Sequence, residues 1–513
     1  MSIVAAFAVP HPPVIVPAVG RGREHEVQAT VDAYQEVAQR VAALAPDAIV
    51  ITSPHATSYL DWFHISPGAG ARGDFARFGA ADDAYEIAYD QEFVQALADR
   101  CHADGIPAGT EGEQDPSLDH GTLVPVHFLR EAYREAGRDL PPFVRIGLSG
   151  MTPLDHYRLG QEIASTADQL GRRVVFVASG DLSHKMTADG PYGFAAEGPK
   201  FDERICQIFR EGDFLGLMTF DPGFCDRAAE CGLRSFQIMA GALDRTAVNC
   251  ELLSHEGTLG VGYGIAAFIP EGEAGADPDR AFGERYQAWV REQAASRKRS
   301  EDLYVRLARR ALESYVHSGK AVKPSRALLE QLAAGRRSDA VKEGRAVSAP
   351  VTDPPVPGTT CALRVQDALD IDDLFRLQAG AFVSLKKDGQ LRGCIGTISP
   401  VCDSLAEEIC ANAVSAGTRD PRFPAVGEDE LPDLVYDVDV LGKPEEIPDA
   451  TRLDPSRYGV IVSTPDGRRG LLLPDLDGID TADKQLAIAA RKGDINLGSD
   501  DVKLERFEVV RHL

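Results

Sequence analysis

Hydrophobic and polar positions alternate between two rhythms through the first half of the chain. Short apolar runs stand at residues 3–9, 48–51, 174–178 and 260–269, and at 144–148 around a single Arg145, and runs of that kind suit strands covered on both faces. Between them, apolar residues recur at three- and four-residue steps. In residues 24–44 the positions are Val27, Val31, Tyr34, Val37, Ala38 and Val41, which predicts a helix with one apolar face. Residues 84–104, 155–170 and 198–211 read as helices in the same way, and a turn at residues 228–232 runs into a helix rich in small residues. Residues 65–84, full of Gly, Ala and Asp, read as an irregular excursion near the mouth of a site. Strands alternating with helices predict an α/β domain over residues 1–270, with a central, mostly parallel sheet flanked by helices.

The rhythm changes after residue 270. Residues 271–279 are Gly, Glu, Asp and Pro in composition and read as a linker, followed by a charged helix at 281–299 placed between the domains. A third segment, 301–513, opens with a helix carrying Leu303, Leu307, Ala311, Leu312 and Tyr315 on one stripe. After a Pro-rich loop at 347–360 come strands at 380–385, 393–398, 434–441, 459–463 and 470–473, with a helix at 404–415. Lacking regular βαβ alternation, this segment predicts an α+β domain.

Composition narrows the function. A chain of 513 residues has length for more than one core. A net charge of −25 argues against nucleic acid and against an anionic membrane surface as partners. No apolar stretch approaches spanning length, and the N-terminus lacks the basic start and apolar core of a secretory signal. Nine scattered cysteines suit reduced thiols in the cytoplasm rather than a disulfide framework.

Candidate chemistry sits at the ends of the apolar runs. Three of them deliver a histidine: Pro10-His11-Pro12-Pro13, Thr52-Ser53-Pro54-His55, and Ser179-Gly180-Asp181-Leu182-Ser183-His184. Ligands of open α/β sheets bind outside the carboxyl ends of the strands, so residues remote in sequence can converge there. Asp119-His120-Gly121 places His120 on a further turn, whereas His127 lies within an apolar helical segment and reads as packed. Two histidines and a carboxylate suit non-haem Fe(II), and Glu230 at the start of a helix can supply the carboxylate with His11 and His55. Zinc or another divalent metal in a hydrolase could use the same residue types.

In combination these four motifs resemble the class III extradiol dioxygenases, the LigB-like family, and the related Memo proteins, over roughly residues 1–270. The resemblance implies Fe(II) on His11 and His55, His184 as catalytic base, His120 near substrate and oxygen, and Glu230 as third ligand. A catechol-like aromatic diol and dioxygen would be the substrates of this ring-opening oxidoreductase. In Memo proteins a cysteine in a similar Cys-Gly context lies in the metal site, and Cys231 stands directly after Glu230. A Memo-like redox or hydrolytic enzyme, or a non-enzymatic metal-binding scaffold, is therefore the alternative.

Further on, Leu391-Arg392-Gly393-Cys394-Ile395-Gly396, Arg419-Asp420-Pro421-Arg422-Phe423-Pro424 and Tyr458-Gly459-Val460 resemble the AMMECR domain over roughly residues 301–513. The fusion resembles the AmmeMemoRadiSam system protein A family, which implies a radical-SAM protein as partner. Cys394 near Arg392, Arg419 and Arg422 has the setting of an activated thiolate nucleophile, against which stands a buried strand cysteine. Cys394, Cys402 and Cys410 lack the close pairing of a structural zinc site.

Overall fold

The computed structural model describes residues 2–272, 274–342, 365–387, 389–476, 479 and 481–513. The chain divides into two compact units, Met1–Gln287 and Ala288–Leu513. The Pro-rich loop expected at 347–360 lies outside the described residues.

In the first unit the elements run β1 Ile3–Val9, α1 Gln28–Leu44, β2 Ala48–Ser53, β3 Gly70–Phe75, β4 Ala80–Ala88, α2 Gln91–Ala103, α3 His120–Glu135, β5 Phe143–Gly147, α4 Pro153–Leu170, β6 Val174–Ser179, α5 Glu197–Glu211, α6 Leu233–Ala242, β7 Ala247–Glu256 and β8 Tyr263–Glu271. The central sheet has the order β5-β2-β6-β1-β8-β7. Its first four strands are parallel; β8 adds antiparallel to β1, and β7 antiparallel to β8. Every residue of β2, β5 and β6 is buried, the physical basis of their apolar runs, interrupted only by Arg145 in β5. Phe7, Val9, Ile49, Ile51, Val175 and Val177 share one core with Tyr34, Val37 and Val41 of α1 and Leu123, Val124 and Phe128 of α3.

Three local expectations change. Residues 65–84 are not irregular throughout, because β3 and β4 pair antiparallel from Gly70↔Ala88 to Phe75↔Ala80. Only Ala71, Phe75, Tyr85 and Ile87 of this hairpin are buried, so its one covered face is spelled by few apolar residues among Gly, Asp and Arg. The helix expected from residue 84 begins at Gln91, where the Asp90 side chain accepts the N–H of Phe93. His120 is not on a free turn but is the first residue of α3, whose N-cap is Asp119.

The second unit begins within α7 Phe282–Ser300, a helix that contains the boundary between the units. It comprises α8 Leu303–Ser318, α9 Arg326–Lys342, α10 Val365–Arg376, β9 Ala381–Lys387, β10 Gln390–Gly396, α11 Leu405–Thr418, β11 Val435–Leu441, β12 Glu445–Ile447, β13 Gly459–Ser463, β14 Arg469–Leu472, α12 Ala482–Lys492, β15 Lys503–Phe507 and β16 Val509–His512. Two antiparallel sheets, β10-β9-β11-β16 and β12-β15-β13-β14, make this an α+β unit.

Candidate metal site

The parallel strands β1, β2 and β6 end side by side, and their histidines meet there. His11 follows β1 and is 1% exposed. Its backbone N–H donates to Asp181 Oδ1 at 2.8 Å, which ties the β1 end to the loop after β6. Its Nδ1 lies 3.0 Å from Ser179 Oγ, and that hydroxyl spends its proton on Gly121 O at 2.6 Å. Ser179 must then accept from Nδ1–H, which leaves the His11 Nε2 lone pair facing inward. That Nε2 stands 3.0 Å from His55 Nε2 and 3.8 Å from Cys231 Sγ.

His11, His55 and Cys231 form a group whose ligand atoms all lie within 4.8 Å of one another, and Asp181, His184 and Cys231 form a second. Two imidazole nitrogens and a sulfur in this arrangement suit a divalent transition metal. Burial, then the neighbouring His55, pushes the His11 imidazolium down to about 3, so His11 is a neutral ligand at neutral pH. With no cation bound, burial and then the Asp181 and Glu230 carboxylates hold the Cys231 thiol well above its ordinary range. A cation would offset that effect.

Glu230, expected as the carboxylate ligand, stands outside both groups. Its Oε2 accepts the N–H of Leu233 at 2.7 Å, satisfying the exposed first turn of α6, and burial raises its carboxyl to about 6. Cys231 faces the site because its loop is locked to the β6 loop. Asp181 N–H points at Cys231 Sγ at 3.3 Å, and Cys231 N–H donates to Asp181 O at 3.4 Å. A Cβ on Gly180 would fall 2.1 Å from Gly232 Cα, so two glycines make this contact possible.

Around the triad, His120 stacks on His55 with ring centroids 4.0 Å apart, and burial, then His55, pushes it down to about 3. His184 Nε2 is 3.9 Å from Asp181 Oδ2, and the His184 ring stacks on Tyr192 at 5.1 Å. Burial lowers the His184 pKa against the pull of Asp181. Beneath His120, Asp119 accepts from Ser53 Oγ at 2.6 Å, Thr122 Oγ1 at 2.9 Å and buried Arg145 Nη2 at 2.8 Å. A cavity of about 820 Å³ opens beside His55 and His120, with Arg77 and Phe78 on its wall. His127 is packed, its Nδ1 2.7 Å from Tyr85 Oη.

Sequence reasoning assigned no role to Asp181, Asp119, Ser179, Arg145 or Tyr192. Asp181 and Asp119 were in view, because each stands within a histidine motif at capping distance. Arg145 carries a signal of its own, a lone charge inside an apolar strand.

In the second unit Cys394 lies on β10 opposite Ser384, whose Oγ is 3.2 Å from Sγ. Two of the three arginines expected near the thiol pair with carboxylates. Arg392 grips Glu430 at 2.8 Å and Arg422 grips Asp420 at 2.7 Å. Asp420 also accepts the backbone N–H of Cys394 at 2.9 Å, and Arg422 reaches the Cys394 carbonyl at 3.4 Å.

Comparison with known proteins agrees with this division. The family described as the catalytic LigB subunit of aromatic ring-opening dioxygenase matches residues 5–266, and the AMMECR1 family matches residues 305–512. Protein CA_C1420 of Clostridium acetobutylicum is 35% identical over 524 aligned residues, covering 100% of this chain and 99% of that protein. A protein of Thermotoga maritima is 42% identical over 213 residues, covering 41% of this chain and 98% of its own length. The crystal structure of the uncharacterized protein PH0010 from Pyrococcus horikoshii is 26% identical over 40% of this chain and 88% of that one, at a TM-score of 0.29, too low to bear on the fold. The chain belongs to the family of the catalytic LigB subunit of aromatic ring-opening dioxygenase, here carried in fusion with a C-terminal AMMECR1 domain.

Proposed function

We propose that the first unit is a metal-dependent ring-opening oxidoreductase, with Fe(II) held by His11, His55 and Cys231 and a catechol-like diol and dioxygen as substrates. The observation that carries this reading is the facing pair of Nε2 atoms, 3.0 Å apart, with Cys231 Sγ beside them and a cavity of about 820 Å³ lined by one of the pair, His55. When bound, Fe(II) supplies the redox chemistry that dioxygen requires. The chain's own residues handle the protons. His184, neutral at neutral pH because burial lowers its pKa, accepts a diol hydroxyl proton on its imidazole, and the Asp181 carboxylate balances the resulting charge. His120, fixed by its stack on His55, lines the cavity as a second imidazole for the substrate.

The thiol supports a second reading. Two imidazoles and a thiolate also suit zinc, and His184 would then serve a hydrolysis. Anaerobic loading with Fe(II), followed by a screen of catechols for yellow ring-opened products, separates the two. Turnover that disappears in His184→Gln while iron is retained supports the dioxygenase. An iron-loaded chain that opens no catechol ends that reading and leaves the zinc enzyme.

A further inference from the structure

A second concavity, of about 500 Å³, shares Arg72 and Ala84 with the cavity beside the histidines and is otherwise bounded by the β3–β4 hairpin, α3 and the loop after α3. Its wall carries four arginines, at positions 72, 130, 134 and 138, against the carboxylates of Glu86 and Asp139. That balance is unusual in a chain where Asp and Glu outnumber Lys and Arg by 79 to 54.

Two of the arginines are neutralised. Arg134 pairs with Glu131 at 2.7 Å and Arg72 with Glu86 at 3.6 Å. Arg130 and Arg138 are held differently. Arg130 Nη1 donates to Ala84 O at 3.2 Å while its guanidinium lies 5.1 Å over the Tyr85 ring. Arg138 Nη1 donates to Ala42 O at 2.6 Å. Backbone carbonyls and a ring thus orient both forks without cancelling their charge, and among the described residues neither has a carboxylate within ion-pair distance. Tyr133, 3% exposed, forms part of the wall of the same concavity.

We propose that this groove binds a small phosphate-bearing ligand, with Arg130 and Arg138 as its anchors. Pre-oriented guanidinium forks match the paired oxygens of a phosphate, and the volume suits a small molecule. The site is separate from the histidine cluster and stands whatever reaction that cluster performs.

Isothermal titration of the full chain with inorganic pyrophosphate tests the proposal. Saturable binding that weakens as salt rises is expected. Arg130→Gln and Arg138→Gln should each weaken it by about tenfold or more. Both residues are exposed, and unchanged thermal unfolding of the variants guards against misreading a folding defect. His55→Ala should leave the affinity unchanged. Absence of saturable binding, equal affinity in the arginine variants, loss of binding in His55→Ala, or malonate binding as tightly as pyrophosphate would each overturn the phosphate site.

Discussion

Asp119 joins three parts of the site through one carboxylate. It caps α3 beneath His120, takes the Ser53 hydroxyl two residues before His55, and neutralises Arg145, which is 1% exposed. Burial would raise its carboxyl, yet Arg145 and the hydroxyls reverse the effect and hold it low. Asp119→Ala would leave a buried guanidinium without its partner, at a cost of about 3–5 kcal/mol. Urea unfolding of the variant, followed in the first unit, should show a loss of that size. A loss below about 1 kcal/mol would mean that water replaces the carboxylate. Residue identity alone did not reveal this role. In the sequence Asp119 is only the neighbour of a histidine, and Arg145 reaches it from another strand.

At the level of elements, the site depends on the contact between the loops after β6 and before α6. Gly180→Ala would drive a methyl group into Gly232 backbone, an overpacking cost of about 1–3 kcal/mol that no side-chain rotation relieves. Cys231 would shift away from His11, so the variant should purify with less metal than the wild type; an unchanged metal content would show that the loops tolerate separation. The same loop is held from behind by α5. Buried Asp202 accepts Ser183 N–H at 2.8 Å and pairs with His255 of β7 at 2.8 Å. The Asp202 partner raises His255 to about 10. Because the folded value lies above the ordinary one, this contribution is complete below about pH 6.5 and is lost as pH rises through 10. Thermal unfolding at pH 6 and pH 10 should therefore show His255→Gln much less stable than wild type at the lower pH and closer to it at the higher one.

Elements differed in how plainly their residues announced them. Strands β1, β2 and β6 could be read because burial on both faces leaves an unbroken apolar run, and each run ended at its histidine. The β3–β4 hairpin could not be read in this way. It exposes one face and buries few residues, and the edge strand β7, with Ser254 its only buried residue, lacks a covered apolar run as well. Glu230 and Cys231 show the limit more sharply. They are adjacent, both are metal ligands by type, and only the three-dimensional locking of Cys231 to Asp181 shows which of them faces the histidines.

At the scale of the whole molecule, a LigB-type unit and an AMMECR1 unit occupy one chain, and CA_C1420 of Clostridium acetobutylicum aligns across both. No helix among the described residues is long and apolar enough to cross a membrane. Within the net charge of −25, the arginine groove beside α3 is a local exception, as a site for a small anion would be. Of the described ligand-type side chains, only the β1, β2, β6 and pre-α6 loops assemble groups with metal-ligand spacing, all in the first unit. The most direct measurement is iron per chain after anaerobic Fe(II) loading of the wild type, Glu230→Ala and Cys231→Ala, with the metal determined by mass spectrometry. A ligand set of His11, His55 and Cys231 predicts near one iron in the wild type and in Glu230→Ala, and a loss in Cys231→Ala; iron lost only in Glu230→Ala would contradict it.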